Sequence, residues 1–153
     1  MKHPYVSQEL PRKKETILLA DDEPFNLEWV TEYLESKGFT VEVVDHVDAA
    51  LAQLRAARFR IVIADLSIPA REPNKLPQAR DPLTQKYPGL VIAEYARNRG
   101  HLGRQVVVYS VHDDPLVQAF TQKIGCTYIH KGRPRQFKVE LDEILKYDPL
   151  GKR

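Results

Sequence analysis

The sequence predicts an α/β domain: a parallel sheet of five strands with helices on both faces. Three observations predict it. Five short apolar runs alternate with five segments of helical period, and that alternation builds a parallel sheet. The runs are rich in Val and Ile at successive positions, as strands buried on both faces are. A chain of 153 residues suits one domain, burying about 68–70% of the surface its unfolded form exposes.

The elements follow in order. Residues 1–15 carry Lys2, Arg12, Lys13 and Lys14 against Glu9 and Glu15, with Pro4 and Pro11, and read as a polar N-terminal tail up to Thr16. Ile17-Leu18-Leu19-Ala20 is the first strand. Leu27, Val30 and Leu34 form the first helix stripe, opened by Pro24 and closed by Gly38. Val41–Val44, broken by Glu42, is the second strand. Val47, Ala50, Leu51 and Leu54 form the second helix, with Asp45 as N-cap and Asp48 in the first turn. Ile61-Val62-Ile63-Ala64 is the third strand. The third helix runs from about Leu90 to Arg99 and ends at Gly100. Val106-Val107-Val108-Tyr109 is the fourth strand. Val117, Phe120 and Ile124 form the fourth helix, closed by Gly125. Tyr128-Ile129 is the fifth strand, and Phe137, Leu141, Ile144 and Leu145 form a fifth helix opened by Pro134. The domain then spans 16–147, with 148–153 a C-terminal tail.

One segment breaks the rhythm. Residues 66–89 show neither period and hold Pro69, Pro73, Pro77, Pro82 and Pro88, five of the eleven prolines. Connections in α/β units usually run about 2–6 residues, so this one reads as an inserted loop, functional or disordered. It carries Arg71, Lys75, Arg80 and Lys86 against Glu72 and Asp81.

Composition excludes several classes. The balance of 23 Lys+Arg against 21 Asp+Glu, a net +2, argues against wholesale nucleic-acid binding. The single Cys126 excludes an internal disulfide and a Cys-based zinc cluster, and reads as a small buried thiol. No histidine stands in a metal-ligand spacing; His46, His112 and His130 read as polar loop or strand-end residues. No apolar stretch approaches the roughly 18–20 residues of a membrane span, and no secretory signal shows at the N-terminus. The expectation is a cytoplasmic protein with no membrane insertion.

Ligands of an open parallel sheet bind outside the carboxyl ends of its strands. There the chain places Asp21-Asp22-Glu23, Asp65, Ser110 and Lys131. Converging carboxylates repel one another unless a cation joins them, and an oxygen-only set suits Mg²⁺ or Mn²⁺. An Asp on the central strand beside such an ion can act as a nucleophile and form an aspartyl-phosphate. Lys131 would supply a point charge and Ser110 a hydroxyl to its phosphoryl oxygens.

These residues resemble a known family. Ile17–Glu23, Ile61–Asp65, Val107–Ser110 and Tyr128–Lys131 look like the receiver domain of bacterial two-component response regulators, over about 16–146. The resemblance implies a flavodoxin-like (βα)5 fold with strand order 2-1-3-4-5. It implies that Asp65 accepts a phosphoryl group from a histidine kinase or a histidine phosphotransfer protein. Asp22, Asp65 and the main-chain carbonyl of Ser67 would hold Mg²⁺, with Asp21 acting through a metal-bound water. Ser110 and Lys131 would bind the phosphoryl oxygens, and Tyr128 would be the switch aromatic. Taken singly, each residue has a plainer reading. Asp21-Asp22-Glu23 could cap a helix, Asp65 could be a turn residue, Lys131 a solvated lysine and Tyr128 core. The ordered set carries the functional reading.

The sequence departs from the family pattern in four places. Gly132 follows Lys131 where the family has Pro with a cis bond; a trans bond or a local rearrangement is expected here, since a non-proline cis bond costs roughly 2.5–4 kcal/mol. Val111 follows Ser110 where small residues are usual, which would narrow access to Asp65 and slow hydrolysis. The 66–89 loop is far longer than the family's and is expected to cover the site or contact a partner. Little chain follows the last helix, so a stand-alone receiver is expected, with no catalytic turnover beyond its own Mg²⁺-dependent phosphorylation and dephosphorylation. Its signal would leave by phosphorelay or through the face of helix 4, strand 5 and helix 5. That face carries Gln118, Gln122, His130, Arg133, Arg135 and Lys138 and favours an acidic partner. The alternative is a receiver-like scaffold that works without phosphorylation. A Mg²⁺-dependent phosphatase ranks lower because Asp65-Leu66-Ser67 lacks a second Asp, and a flavin site ranks lower because the first loop is acidic.

Overall fold

The structure is a computed structural model that describes residues 10–23, 27–76 and 81–146. Five strands alternate with helices: β1 Arg12–Ala20, α1 Glu28–Ser36, β2 Thr40–Val44, α2 Val47–Ala56, β3 Arg58–Asp65, α3 Pro82–Lys86, α4 Gly89–Asn98, β4 Val106–Ser110, α5 Pro115–Ile124, β5 Thr127–His130 and α6 Pro134–Lys146. The sheet order is β2-β1-β3-β4-β5, every pair parallel. This is the flavodoxin-like (βα)5 topology expected above.

Side chains of the inner strands alternate between two cores, as a period of two requires. Leu18, Ala20, Val62, Ala64, Val106 and Val108 face a core built with α2, α4 and Val117 of α5. Ile17, Leu19, Ile61, Ile63, Val107 and Tyr109 face the opposite core, built with α1 and α6. In α6, Phe137, Leu141 and Ile144 recur at helical spacing and are the buried residues. Phe137 sits between Trp29 and Tyr109, with ring centroids 5.7 and 5.8 Å away; burying one such ring contributes roughly 2–3 kcal/mol.

Several sequence expectations are corrected. The polar segment before Thr16 is not all tail: β1 starts at Arg12. Arg12 and Lys13 pair with Arg58 and Phe59 of β3, and Arg58 N–H donates to the Pro11 carbonyl at 2.8 Å. Lys13 hid the strand, because its ammonium lies 5.2 Å from the Phe59 ring centroid and pairs with Glu42 at 3.0 Å, which lets a charged residue sit within a strand. Strand β2 is not buried on both faces. It is an edge strand, and Val43 is 43% exposed; β5, at the other edge, is likewise half-buried.

Asp45 does not cap α2; its N-cap is His46, to whose ring Asp45 bonds at 2.8 Å. The predicted start of the first helix at Pro24 lies outside the described residues, as do positions 1–9, 77–80 and 147–153. The helices end as predicted near glycines, with Gly38, Gly100 and Gly125 all at positive φ.

The 66–89 segment is more ordered than its composition suggests. Leu66 and Ile68 are fully buried, Pro73–Lys75 forms one 3₁₀ turn, and Pro82–Lys86 forms α3, a sixth helix. Asp81 caps α3 by accepting from Leu83 N–H at 2.9 Å. Asp48 of α2 accepts from the N–H groups of Arg71 and Glu72 at 2.6 and 3.2 Å. The segment is therefore tied down where it passes α2.

Candidate functional site

The site lies at the carboxyl ends of β1, β3 and β5. β1 is an inner strand, so its last residues emerge into a buried rim: Asp21 is 0% exposed, whereas Asp22 beside it is exposed. Burying a carboxylate demands donors. Asp21 receives the N–H of Glu23 on Oδ1 at 2.8 Å and the hydroxyl of Tyr109 on Oδ2.

Asp65 ends β3 and is 7% exposed. Burial pushes its carboxyl above the usual range, the Lys131 ammonium opposes that, and the neighbouring Asp21 and Asp22 add to it. Ser67, in the turn that follows, points its N–H at Asp65 Oδ1 from 3.4 Å. Lys131 follows β5, and its N–H is held by the Ser110 carbonyl at 2.7 Å. Its ammonium stands 3.6 Å from Asp65 Oδ1 and 3.7 Å from Asp21 Oδ2. The Lys131–Gly132 bond is trans, as expected; Gly132 N–H bonds the His130 ring at 3.2 Å.

Carboxylate oxygens of Asp21, Asp22 and Asp65 lie within 4.8 Å of one another. Two oxygens on opposite sides of an octahedral Mg²⁺ stand about 4.1 Å apart, from bonds of about 2.0–2.1 Å. Hard oxygen donors, surplus negative charge and this spacing fit one divalent cation.

Ser110, at the end of β4, is buried, and its Oγ accepts the N–H of His112 at 2.9 Å. The His112 carbonyl in turn accepts the hydroxyl of the half-buried Tyr128. The backbone of His112 thus connects the two predicted switch residues. Tyr87, from the end of the inserted segment, reaches the same loop, donating to Asp114 at 2.9 Å. Val111 is 59% exposed.

Two residues of the site escaped the sequence reading. Tyr109 looked like one more apolar residue of β4. Its signal was a lone hydroxyl in a Val-rich strand, at the position paired with Asp65. Gly89 begins α4 so close to the end of β3 that a Cβ there would lie 2.1 Å from the Asp65 carbonyl oxygen. Cys126 is half-buried, and burial pushes its thiol up to about 12.

Residues 17–76 match the response regulator receiver domain family, a span that holds Asp21, Asp22 and Asp65. No match was found among curated proteins. Solved structures with a similar fold include a CheY-like receiver domain protein from Methanospirillum hungatei, 22% identical over 90% of this chain and 95% of that one, with a TM-score of 0.63. A response regulator from Thermotoga maritima is 19% identical over 90% and 99%, with a TM-score of 0.63. A response regulator from Burkholderia pseudomallei, solved with a phosphorylated aspartic acid and a calcium ion, is 17% identical over 86% and 74%, with a TM-score of 0.57. The family match thus covers residues 17–76, and the solved structures share the fold of the chain. Among the described residues, no helix is long and apolar enough to cross a membrane.

Proposed function

We propose that Asp65 takes a phosphoryl group from a histidine kinase or a histidine phosphotransfer protein, and that the phosphorylated chain then docks a partner or relays the group. The observation that carries this reading is the meeting of three chain segments. Acidic side chains from the ends of β1 and β3 surround one space, and Lys131 reaches into it from the end of β5.

Asp21, Asp22, Asp65 and the Ser67 carbonyl would hold Mg²⁺, with Mn²⁺ an equivalent hard cation. Bound there, the cation supplies positive charge to the phosphoryl oxygens. An Asp65 carboxylate oxygen forms a bond to phosphorus while the bond from phosphorus to the donor imidazole nitrogen breaks. That electron pair returns to the imidazole, and Asp65 becomes an acyl phosphate.

Lys131 keeps Asp65 ionised against its burial and remains to pair with the new negative charge. The Ser110 hydroxyl accepts a backbone N–H, so its own proton is available to a phosphoryl oxygen. Drawing Ser110 inward pulls on His112, whose carbonyl holds Tyr128. That is a covalent and hydrogen-bonded route from Ser110 to the surface of β5. The exposed Gln118, Gln122, Arg133, Arg135 and Lys138 of α5, α6 and the turn between β5 and α6, with the half-buried His130, suit an acidic partner. The inserted segment, tied to α2 through Asp48 and to the Ser110 loop through Tyr87, would tune kinase choice or phosphoryl lifetime; those two contacts support this reading.

The test is incubation of the chain with Mg²⁺ and acetyl phosphate, followed by mass mapping. One added phosphoryl group on Asp65, absent in Asp65→Asn and without Mg²⁺, is the expected result. An unmodified chain would favour the phosphorylation-independent scaffold.

A further inference from the structure

Tyr109 is fully buried in β4 and touches both charged partners of the site. Its hydroxyl donates to Asp21 Oδ2. The face of its ring lies 4.8 Å from the Lys131 ammonium. That ammonium stops 3.7 Å short of the same Asp21 oxygen, whereas an unobstructed charge-assisted bond closes to about 2.7–2.9 Å. The Tyr109 ring packs against Phe137, the ring centroids 5.8 Å apart.

From this geometry we infer that Tyr109 is a positioning residue that keeps Lys131 and Asp21 apart. The hydroxyl occupies Asp21 Oδ2, and the ring carries the ammonium between Asp21 and Asp65. Without the hydroxyl, Lys131 closes onto Asp21, and its ammonium takes the place a divalent cation needs. This division of labour suits a chain in which the flexible Gly132 follows Lys131 and holds it less firmly than a proline would. The inference rests on the phosphoacceptor reading for the presence of a cation.

The experiment is calorimetric Mg²⁺ titration of the full chain and of Tyr109→Phe, Lys131→Gln and the double variant. Tyr109→Phe keeps the ring and its packing. We expect it to weaken Mg²⁺ binding about tenfold with Lys131 present and by less than about twofold in the Lys131→Gln background. A merely structural role would weaken binding equally in both backgrounds; that result, or no change beside Lys131, would overturn the inference. If Tyr109→Phe does not fold, Tyr109→Leu removes ring and hydroxyl together, and the same dependence on Lys131 is required. Acetyl phosphate labelling of the wild-type chain is run in parallel. The expected Mg²⁺ pattern without labelling of Asp65 would sink the phosphoacceptor reading and leave the role of Tyr109 standing. A chain that binds no Mg²⁺ would sink both.

Discussion

His101 is 1% exposed and sits between two backbone groups of opposite kind. Its Nδ1 faces the Ala96 carbonyl at 3.0 Å, and its Nε2 accepts the Phe59 N–H at 2.9 Å. A carbonyl can only accept, and an N–H can only donate. The ring is therefore neutral with its proton on Nδ1, and a second proton would point into the Phe59 N–H. Burial, aided by Arg58 and Arg99, lowers its pKa from 6.5 to about 4. The folded state thus binds this proton later than the unfolded chain does. The stabilisation is whole above pH 6.5 and drains as pH falls toward 4, a loss of about 3 kcal/mol in all. Urea midpoints measured from pH 7 to pH 4 should fall over that window in the wild-type chain and fall less in His101→Asn. Parallel curves for the two would refute the assignment. Nothing in the sequence around His101 separates it from the other histidines, because its two partners come from β3 and α4.

At the scale of elements, the junction of β3 and α4 is the tightest point near the site. Gly89 N–H donates to the Leu66 carbonyl at 3.0 Å, and a Cβ at Gly89 would meet the Asp65 carbonyl oxygen at 2.1 Å and Leu66 Cα at 2.9 Å. Neither neighbour is the free end of a side chain, so Gly89→Ala must separate the strand end from the helix. We expect a loss of about 3 kcal/mol, seen as a melting temperature lower by roughly 6–12 °C. A loss under about 1 kcal/mol would mean that the junction yields freely. The long segment before Gly89 was legible as an insertion from its prolines and missing period. Its attachments were not. Asp48 binding the N–H groups of Arg71 and Glu72, and Tyr87 reaching Asp114, are contacts across 23 or more positions of sequence that no local pattern records.

For the molecule as a whole, the site is a standing cost to the fold. Asp65 is buried near Asp21 and Asp22, and its raised pKa means that its ionised form is held against burial. The sign follows. The folded state takes up this proton before the unfolded chain does, so the cost is present in full above the folded pKa. It vanishes as pH falls to the ordinary value of 3.8. Asp65→Asn should therefore melt higher than the wild-type chain at pH 7 without divalent cation, and the gain should shrink on acidification and on adding Mg²⁺. A variant that melts lower at pH 7 would show that the ion pair with Lys131 outweighs the burial of Asp65.

By itself, the sequence determined the alternation of five strands and five long helices, and placed Asp21, Asp22, Asp65, Ser110 and Lys131 at strand ends. It could do so because strand and helix periods and helix-ending glycines are local, and a parallel sheet puts every strand's carboxyl end on one edge. Only the tertiary structure decided the early start of β1, the neutral ring of His101, the space that requires Gly89, and Tyr109 set between Asp21 and Lys131. Each of those depends on which distant backbone or charge comes within a few ångströms. Burial and electrostatics act through space, and the spacing of residues along a chain does not carry that distance.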